Sequence, residues 1–306
     1  MQFLAYILVY PFIMLLSILP FRILYFISDC FYYLIYYIIG YRKKTVLYNL
    51  KLAFPKKSDK EIKTISKKFY HHFVDLFLEM IKTFTISNEE ILKRFYLTNK
   101  EELTTFLNKH QNVLLMSSHY ANYEWLFSLN LSINHNGFGA YKKLKNNYFD
   151  KLIRKSRGRF NTQLVSTKEF FRTVDQNDAK QIPCIYGLLS DQSPRVEKTH
   201  HWSEFFGVKV PVYTGTEMLA KKYNYSIIYM KTAKVKRGYY QTTMHILSET
   251  PTKVPDYQIS DLFMQKLEGQ IIKKPEYYFW THKRFKHKDK APISLGSEQS
   301  SVGGGL

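Results

Sequence analysis

Cysteine is nearly absent from this 306-residue sequence: only Cys30 and Cys184 occur, which excludes a disulfide framework and leaves no thiol cluster for a metal. Cys184 falls in the apolar run Ile182–Leu189 and reads as core, not as a nucleophile. Acidic residues are scarce too. Against 45 Lys and Arg there are 25 Asp and Glu, a formal charge of +20, so the partners to expect are polyanions: nucleic acid, an anionic bilayer or an acidic protein. The first ten residues carry no Lys or Arg and no A-x-A-like site follows, which argues against a cleaved secretory signal. No G-x-S-x-G elbow occurs, which removes the serine hydrolases that depend on it. No internal repeat is present.

What is abundant is aromatic surface, with 25 Tyr and 23 Phe. Tyrosine tolerates a wet edge while burying an apolar body, so this excess suits membrane contact, an apolar ligand groove or a lipophilic core. The N-terminus points to the membrane. Phe3–Leu19 has no charged residue and Ile23–Ile39 has only Asp29; a span needs roughly 20 apolar residues, so each run is barely long enough alone. Pro11 predicts a kink and Pro20 a break. Tyr32, Tyr33, Tyr36 and Tyr37 form two interleaved i,i+4 pairs, predicted to share one helix face at the headgroup boundary. Arg42, Lys43 and Lys44 follow at once and favour the cytoplasmic side. Residues 1–40 are therefore expected to anchor a catalytic domain of residues 41–290, by crossing the bilayer or by lying in it. The tail, residues 291–306, is rich in Ser and Gly and is expected to be disordered.

Between these ends, Ser58 and Glu61 make a capping box that opens a helix, and Phe73, Leu76, Phe77 and Met80 predict its core-facing stripe. Strands are predicted at Asn112–Ser118, Gly137–Tyr141, Ile182–Leu189 and Tyr225–Met230, with helices such as Tyr148–Gly158 and Thr214–Tyr223 between them. This alternation predicts an α/β fold with a mainly parallel central sheet flanked by helices, and functional residues at the C-terminal strand ends.

One such end carries the sequence SSHYANYEW, residues 117–125. His119 and Glu124 are five apart, about 140° on a continuous helix, so they meet only if His119 sits on a strand-to-helix turn and Glu124 in the helix that follows. A carboxylate placed there would accept the hydrogen bond of one imidazole nitrogen and leave the other basic toward a substrate hydroxyl. Helix N-terminal N–H groups would favour developing negative charge. The i,i+4 His pair of a zinc site is missing around His119, and neither metal nor cofactor is expected. A histidine merely satisfied at a strand end is the structural alternative.

Four further blocks join this one in order: YRKKTVLYNLKLAFP at Tyr41–Pro55, GLLSDQS at Gly187–Ser193, FFGVKVPVYTGTEMLA at Phe205–Ala220 and WTHKRFK at Trp280–Lys286. Together with the H-x4-E block they resemble the bacterial lipid A biosynthesis acyltransferases, the lauroyl- and myristoyl-transferring branch of the H-x4-D/E glycerolipid acyltransferases, over about residues 1–290. Lys283 stands where that family more often has Arg, and Gln192 follows Asp191 at a variable polar position. The resemblance implies that His119 is the general base and Glu124 its orienting partner. It also implies that acyl carrier protein delivers the acyl chain as a thioester to a hydroxyl of a lipid A precursor, at the cytoplasmic face of the bacterial inner membrane.

Supporting residues follow. Arg154, Lys155, Arg157 and Arg159 could grip phosphates or form a solvated basic face; the resemblance favours Arg157 or Arg159. Asp191 could bind substrate or order a loop. Thr214, Gly215 and Thr216 could bring backbone close to the reacting group, with Thr214 as a plain N-cap as the alternative. His282 and Arg284 could close the site, and Leu126, Phe127 and Leu129 could line an acyl groove or be core. Two other readings stay open: the same chemistry on a lysophospholipid or other glycolipid, and a non-catalytic basic protein held on the membrane. The aromatics do not form an RNA-binding module, so nucleic acid is not expected.

Overall fold

In a computed structural model that describes residues 2–292, Pro20 separates two apolar helices. The first, α1 (Gln2–Ile18), keeps Pro11 within it. The second, α2 (Phe21–Tyr33), continues as a π-helical stretch, Leu34–Ile39. A left-handed Gly40 ends it, the conformation in which glycine carries no steric cost. Then come α3 (Lys43–Ala53) and α4 (Asp59–Lys82), the latter opened by the expected capping box: Ser58 N–H donates to Glu61 at 2.9 Å and Glu61 N–H to Ser58 Oγ at 3.3 Å. The Ser/Gly-rich tail lies, from residue 293 on, outside the described residues.

The rest of the chain alternates. After α5 (Asn88–Arg94) come β1 (Phe95–Leu97), α6 (Lys100–Lys109), β2 (Asn112–Ser117), a 3-10 helix (Tyr123–Leu131) and β3 (Asn136–Tyr141). Next are α7 (Asn147–Arg157), β4 (Thr162–Ser166), α8 (Phe170–Ala179), β5 (Cys184–Leu189) and the hairpin β6 (Trp202–Phe205) and β7 (Val208–Pro211). The chain closes with α9 (Gly215–Tyr223), β8 (Ser226–Lys236), β9 (Tyr239–Ser248) and α10 (Gln258–Lys273). Seven strands form one sheet in the order β1-β9-β8-β2-β5-β3-β4. The pairs from β8 to β4 are parallel, and β9 runs antiparallel to β8. The α/β, mainly parallel architecture is as expected. The central strand β2 is buried at all six positions, as a strand covered by helices on both faces must be.

Two expectations about helix faces are corrected. Of the stripe on α4, Phe73 and Leu76 are buried but Phe77 is exposed and Met80 only half-buried. The other buried face of α4 is polar instead: His72, Asp75, Glu79 and Lys82. Asp75 accepts from Ser28 at 2.7 Å and from Arg237 at 2.7 Å. Glu79 accepts from Tyr25 at 2.8 Å, Tyr240 at 2.8 Å and Asn122 at 2.7 Å. Nor do the four tyrosines share a face. Tyr32 and Tyr36 turn inward onto His71 and Tyr70, while Tyr33 and Tyr37 are exposed, because successive helical positions diverge by about 100°.

Burial raises the carboxyl of Glu79 to about 7, from an ordinary 4.5. A raised carboxyl stabilises the fold fully below its unfolded value, and that contribution fades as pH climbs through the folded one. Glu79→Gln keeps the network, since the Tyr25 hydroxyl can accept as well as donate. Relative to Glu79→Gln, the wild type should therefore lose up to about 3 kcal/mol between pH 4.5 and 7. Urea unfolding in detergent at the two pH values measures the difference.

Candidate active site

β2 and β5 are parallel and in register, Ser117 opposite Leu189. Two residues beyond each strand end stand His119 and Asp191. The register is carried past the strands by the Ser190 N–H donating to Ser117 O at 3.0 Å. His119 Nδ1 lies 2.7 Å from Asp191 Oδ1, and on the other side of the ring Nε2 lies 3.1 Å from Gln192 Nε2. An anionic partner fixes the proton on Nδ1, so Nε2 carries the lone pair and the Gln192 amide donates to it. Asp191 is almost wholly buried, with the His119 side chain 16% exposed. Burial alone would raise the Asp191 carboxyl. The positive end of the His119 N–H and its hydrogen bond, with backbone N–H donors, outweigh this and hold it below the usual range. Tyr123 and Phe279 wall the imidazole, their ring centroids 4.8 and 5.9 Å away.

His119 does occupy a strand-to-helix turn, but the helix after it is 3-10 and Glu124 does not hold the imidazole. Glu124 is gripped side-on by Arg157, with Nε to Oε2 at 2.8 Å and Nη2 to Oε1 at 2.6 Å. The expected orienting contact is thus corrected: the carboxylate on Nδ1 comes from the neighbouring strand, and the nearby one is committed to a guanidinium. A bidentate fork makes this the stronger partnership for Glu124. Burial would lower Arg157, but the Glu124 carboxylate outweighs it and raises it.

The remaining candidates separate. Arg159 donates to the carbonyls of Thr83 and Ile86, the latter at 2.9 Å, where it satisfies the open carbonyls after α4; it is not turned to a substrate. Arg154 and Lys155 line a shallow groove with Lys151 on the outer side of α7. Arg284 is fully buried and donates to Ser193 Oγ at 2.8 Å and Pro211 O at 2.9 Å, so it ties the loop after Asp191 to β7 and touches no open space. Thr214 stands at the N-cap of α9 without making a cap bond. A Cβ on Gly215 would meet only Phe171 at 3.6 Å, so no close backbone approach demands glycine there. Thr216 Oγ1 meets Ser190 Oγ at 3.2 Å, which sets the start of α9 beside the Asp191 loop. Leu129 is core, with Leu126 and Phe127 packed half-buried against it.

Residues that hold the turn come from the chain ends. The Phe279 N–H donates to His119 O at 3.1 Å and the Ala121 N–H to Tyr277 O at 2.9 Å. Ala121 is left-handed, φ 53°, a conformation that needs such external support. The Asn49 amide donates to the carbonyls of Trp280 at 2.8 Å and His282 at 2.7 Å. His282 Nε2 in turn accepts from the Ser193 N–H at 3.2 Å, and burial, which lowers it to about 4, keeps it neutral for that task. Four of the five sequence blocks, at Asn49, His119, Asp191–Ser193 and Trp280–Arg284, are thereby one hydrogen-bonded unit. The fifth joins through Pro211 and Thr216.

With that geometry in view, the comparison with protein families is decisive. The profile described as bacterial lipid A biosynthesis acyltransferase matches residues 1–287. The chain belongs to this family. No curated protein matches it. Membership makes the chain an acyltransferase of lipid A biosynthesis in the family's general sense and sets aside the reading as a non-catalytic binding protein. The family is membrane-associated in bacteria. Among the described residues one helix, Phe21–Ile39, is long and apolar enough to cross a membrane.

Replacing Arg157 with Met would strand the Glu124 carboxylate in a buried setting. The expected destabilisation is about 3–5 kcal/mol, while Arg157→Met combined with Glu124→Leu should recover most of it. Equilibrium unfolding of the two variants in detergent tests the pairing.

Proposed function

We propose that this acyltransferase moves a fatty acyl chain from the thioester of acyl carrier protein to a hydroxyl of a lipid A precursor at the cytoplasmic face of the inner membrane, with His119 as general base. The observation that carries this reading is the imidazole held on Nδ1 by a buried carboxylate, its other nitrogen met only by the Gln192 amide among the described residues, in a chain of this family. His119 Nε2 takes the proton of the acceptor hydroxyl as its oxygen attacks the thioester carbonyl. The tetrahedral intermediate then collapses with loss of the C–S bond, and the imidazolium returns its proton to the departing thiolate. Asp191 takes the orienting role and steadies the imidazolium. Glu124 and Arg157 brace the start of the 3-10 helix beside it. The positive surface, +20 overall, suits both an acidic carrier and an anionic bilayer.

Gln192 covers Nε2, the nitrogen that must receive the proton. The acceptor hydroxyl therefore displaces the amide, whereas a water molecule alone has less binding energy with which to do so. Gln192→Ala should raise hydrolysis of an acyl thioester relative to transfer, by roughly tenfold. An unchanged ratio would show that the amide excludes nothing.

The central test is acyl transfer by purified protein from acyl carrier protein to a lipid A precursor, followed by mass spectrometry. His119→Ala should abolish it. Asp191→Asn should lower kcat by about 10²–10⁴, the cost of a mis-set imidazole. Glu124→Gln, which leaves the Asp191 contact whole, should cost less. Full transfer by His119→Ala would sink the assignment of the base, and a lysophospholipid accepted in place of the precursor would replace the acceptor.

A further inference from the structure

The N-terminal helices are the largest apolar surface that the site leaves unused, and their contacts specify how they meet lipid. α1 is pinned to the folded body at both ends. At its start Phe3 and Tyr6 pack on Tyr148, ring centroids 5.2 and 5.5 Å apart, and the Asn146 amide donates to Gln2 O at 3.2 Å. At its end the Lys82 ammonium donates to the carbonyls of Ser17 and Leu19, both at 2.8 Å. These are the open carbonyls of a helix terminus, and in the middle of a bilayer nothing else would satisfy them.

α2 is pinned along its length. Tyr25 donates to Glu79, Ser28 to Asp75, and Asp29 receives Arg237 at 2.6 Å and His71 at 3.1 Å. Asp29 sits near the middle of the Phe21–Ile39 helix. If that helix crossed a bilayer, this carboxylate would lie at membrane depth and Arg237, on the β8–β9 hairpin, would have to follow it there, where charged side chains are strongly disfavoured. The length of α1 argues the same way: 17 residues reach about 25 Å, short of a hydrocarbon core of about 30 Å.

Among the described residues nothing covers the outer sides of the two helices. Phe12 is 68% exposed, Phe26 69% and Ile38 77%, a large greasy surface on an otherwise strongly charged protein. Lys142, Lys143 and Lys145 are exposed on the loop after β3 that receives the start of α1. Exposed lysines beside an apolar helix are placed to meet the phosphates of an anionic leaflet. That loop leaves the same C-terminal sheet edge as His119.

We infer that α1 and α2, both packed on α4, lie in the plane of an anionic leaflet with a lysine border, and that neither crosses the bilayer. The protein is seated on one leaflet with the His119 edge beside it, so a lipid acceptor reaches the base sideways from the membrane. This last step rests on the catalytic reading above; the seating does not.

The test uses the full-length protein, with Cys30→Ser and single cysteines at Leu8, Phe12, Phe26 and Ile38 carrying an environment-sensitive dye. It is bound to vesicles of phosphatidylglycerol and phosphatidylcholine in equal parts, some with bromine along the acyl chains. In-plane seating predicts shallow quenching of similar depth at all four positions. It also predicts that Leu8→Lys with Phe12→Lys, both at exposed positions, lowers vesicle binding by at least roughly tenfold without changing thermal unfolding. Lys142, Lys143 and Lys145 replaced by Gln should weaken binding to the mixed vesicles and leave the weaker binding to pure phosphatidylcholine unchanged. A label that goes from shallow through the midplane to shallow again along Phe21–Ile39, or one at Leu19 reached by a reagent trapped inside the vesicle, would overturn the inference. So would binding indifferent to the paired Leu8→Lys and Phe12→Lys substitutions. None of these readings depends on acyl transfer, so a failed catalytic assignment would leave them intact.

Discussion

Two neighbouring strands that run in the same direction and in register bring two residues at matching offsets side by side, however far apart they lie in sequence. Ser117 opposite Leu189 has this consequence for His119 and Asp191. The imidazole proton, the direction of the free lone pair and the ionised state of the carboxylate all follow from that juxtaposition. Both residues lie just past C-terminal strand ends, where a parallel sheet leaves its backbone groups open to a ligand. Everything else near the site keeps this edge from fraying. The Tyr277–Phe279 segment stitches the His119 turn, and Asn49 stitches that segment in turn. His282 and Arg284 hold the loop that carries Asp191 and Gln192.

This arrangement explains why the sequence blocks look unrelated to catalysis when read one by one. Asn49, Trp280 and Arg284 touch no reacting atom. They close a belt from α3 through the C-terminal segment to the end of β5, and a buried arginine with no carboxylate partner among the described residues is tolerated because backbone and hydroxyl oxygens take part of its N–H capacity. Arg284 shows the difference between a motif residue and a binding residue. The motif position was legible; its depth inside the protein was not.

Local patterns were readable where the physics is local. The capping box at Ser58, the break at Pro20, the apolar middle of β2 and the turn placement of His119 all depend on neighbours within a few residues. Glu124 misled because nearness in sequence made it the natural partner, while the parallel register that supplies Asp191 depends on a strand about seventy residues away. The polar face of α4 was hidden for a related reason. Asp75, Glu79 and Lys82 look like a solvated surface, and only the hairpin β8–β9, the helix α2 and the end of α1, all remote in sequence, reveal that they are buried and answered. The antiparallel β9 likewise carries alternating polar residues that do not resemble a buried strand.

Glu79 joins the apolar N-terminal helices to the His119 turn. One of its oxygens takes the hydroxyl of Tyr25 from α2, and the other takes Tyr240 and the amide of Asn122. Asn122 is also the N-cap of the 3-10 helix that begins beside Glu124, its side-chain oxygen accepting from the Trp125 N–H at 3.1 Å. A buried carboxylate that lost Tyr25 would seek compensation from its two remaining donors, and Asn122 could not shift without loosening the cap that sets the turn after His119. The helix that lies on the catalytic body is therefore part of the frame that holds the imidazole, and the buried polar face of α4 is the beam between them.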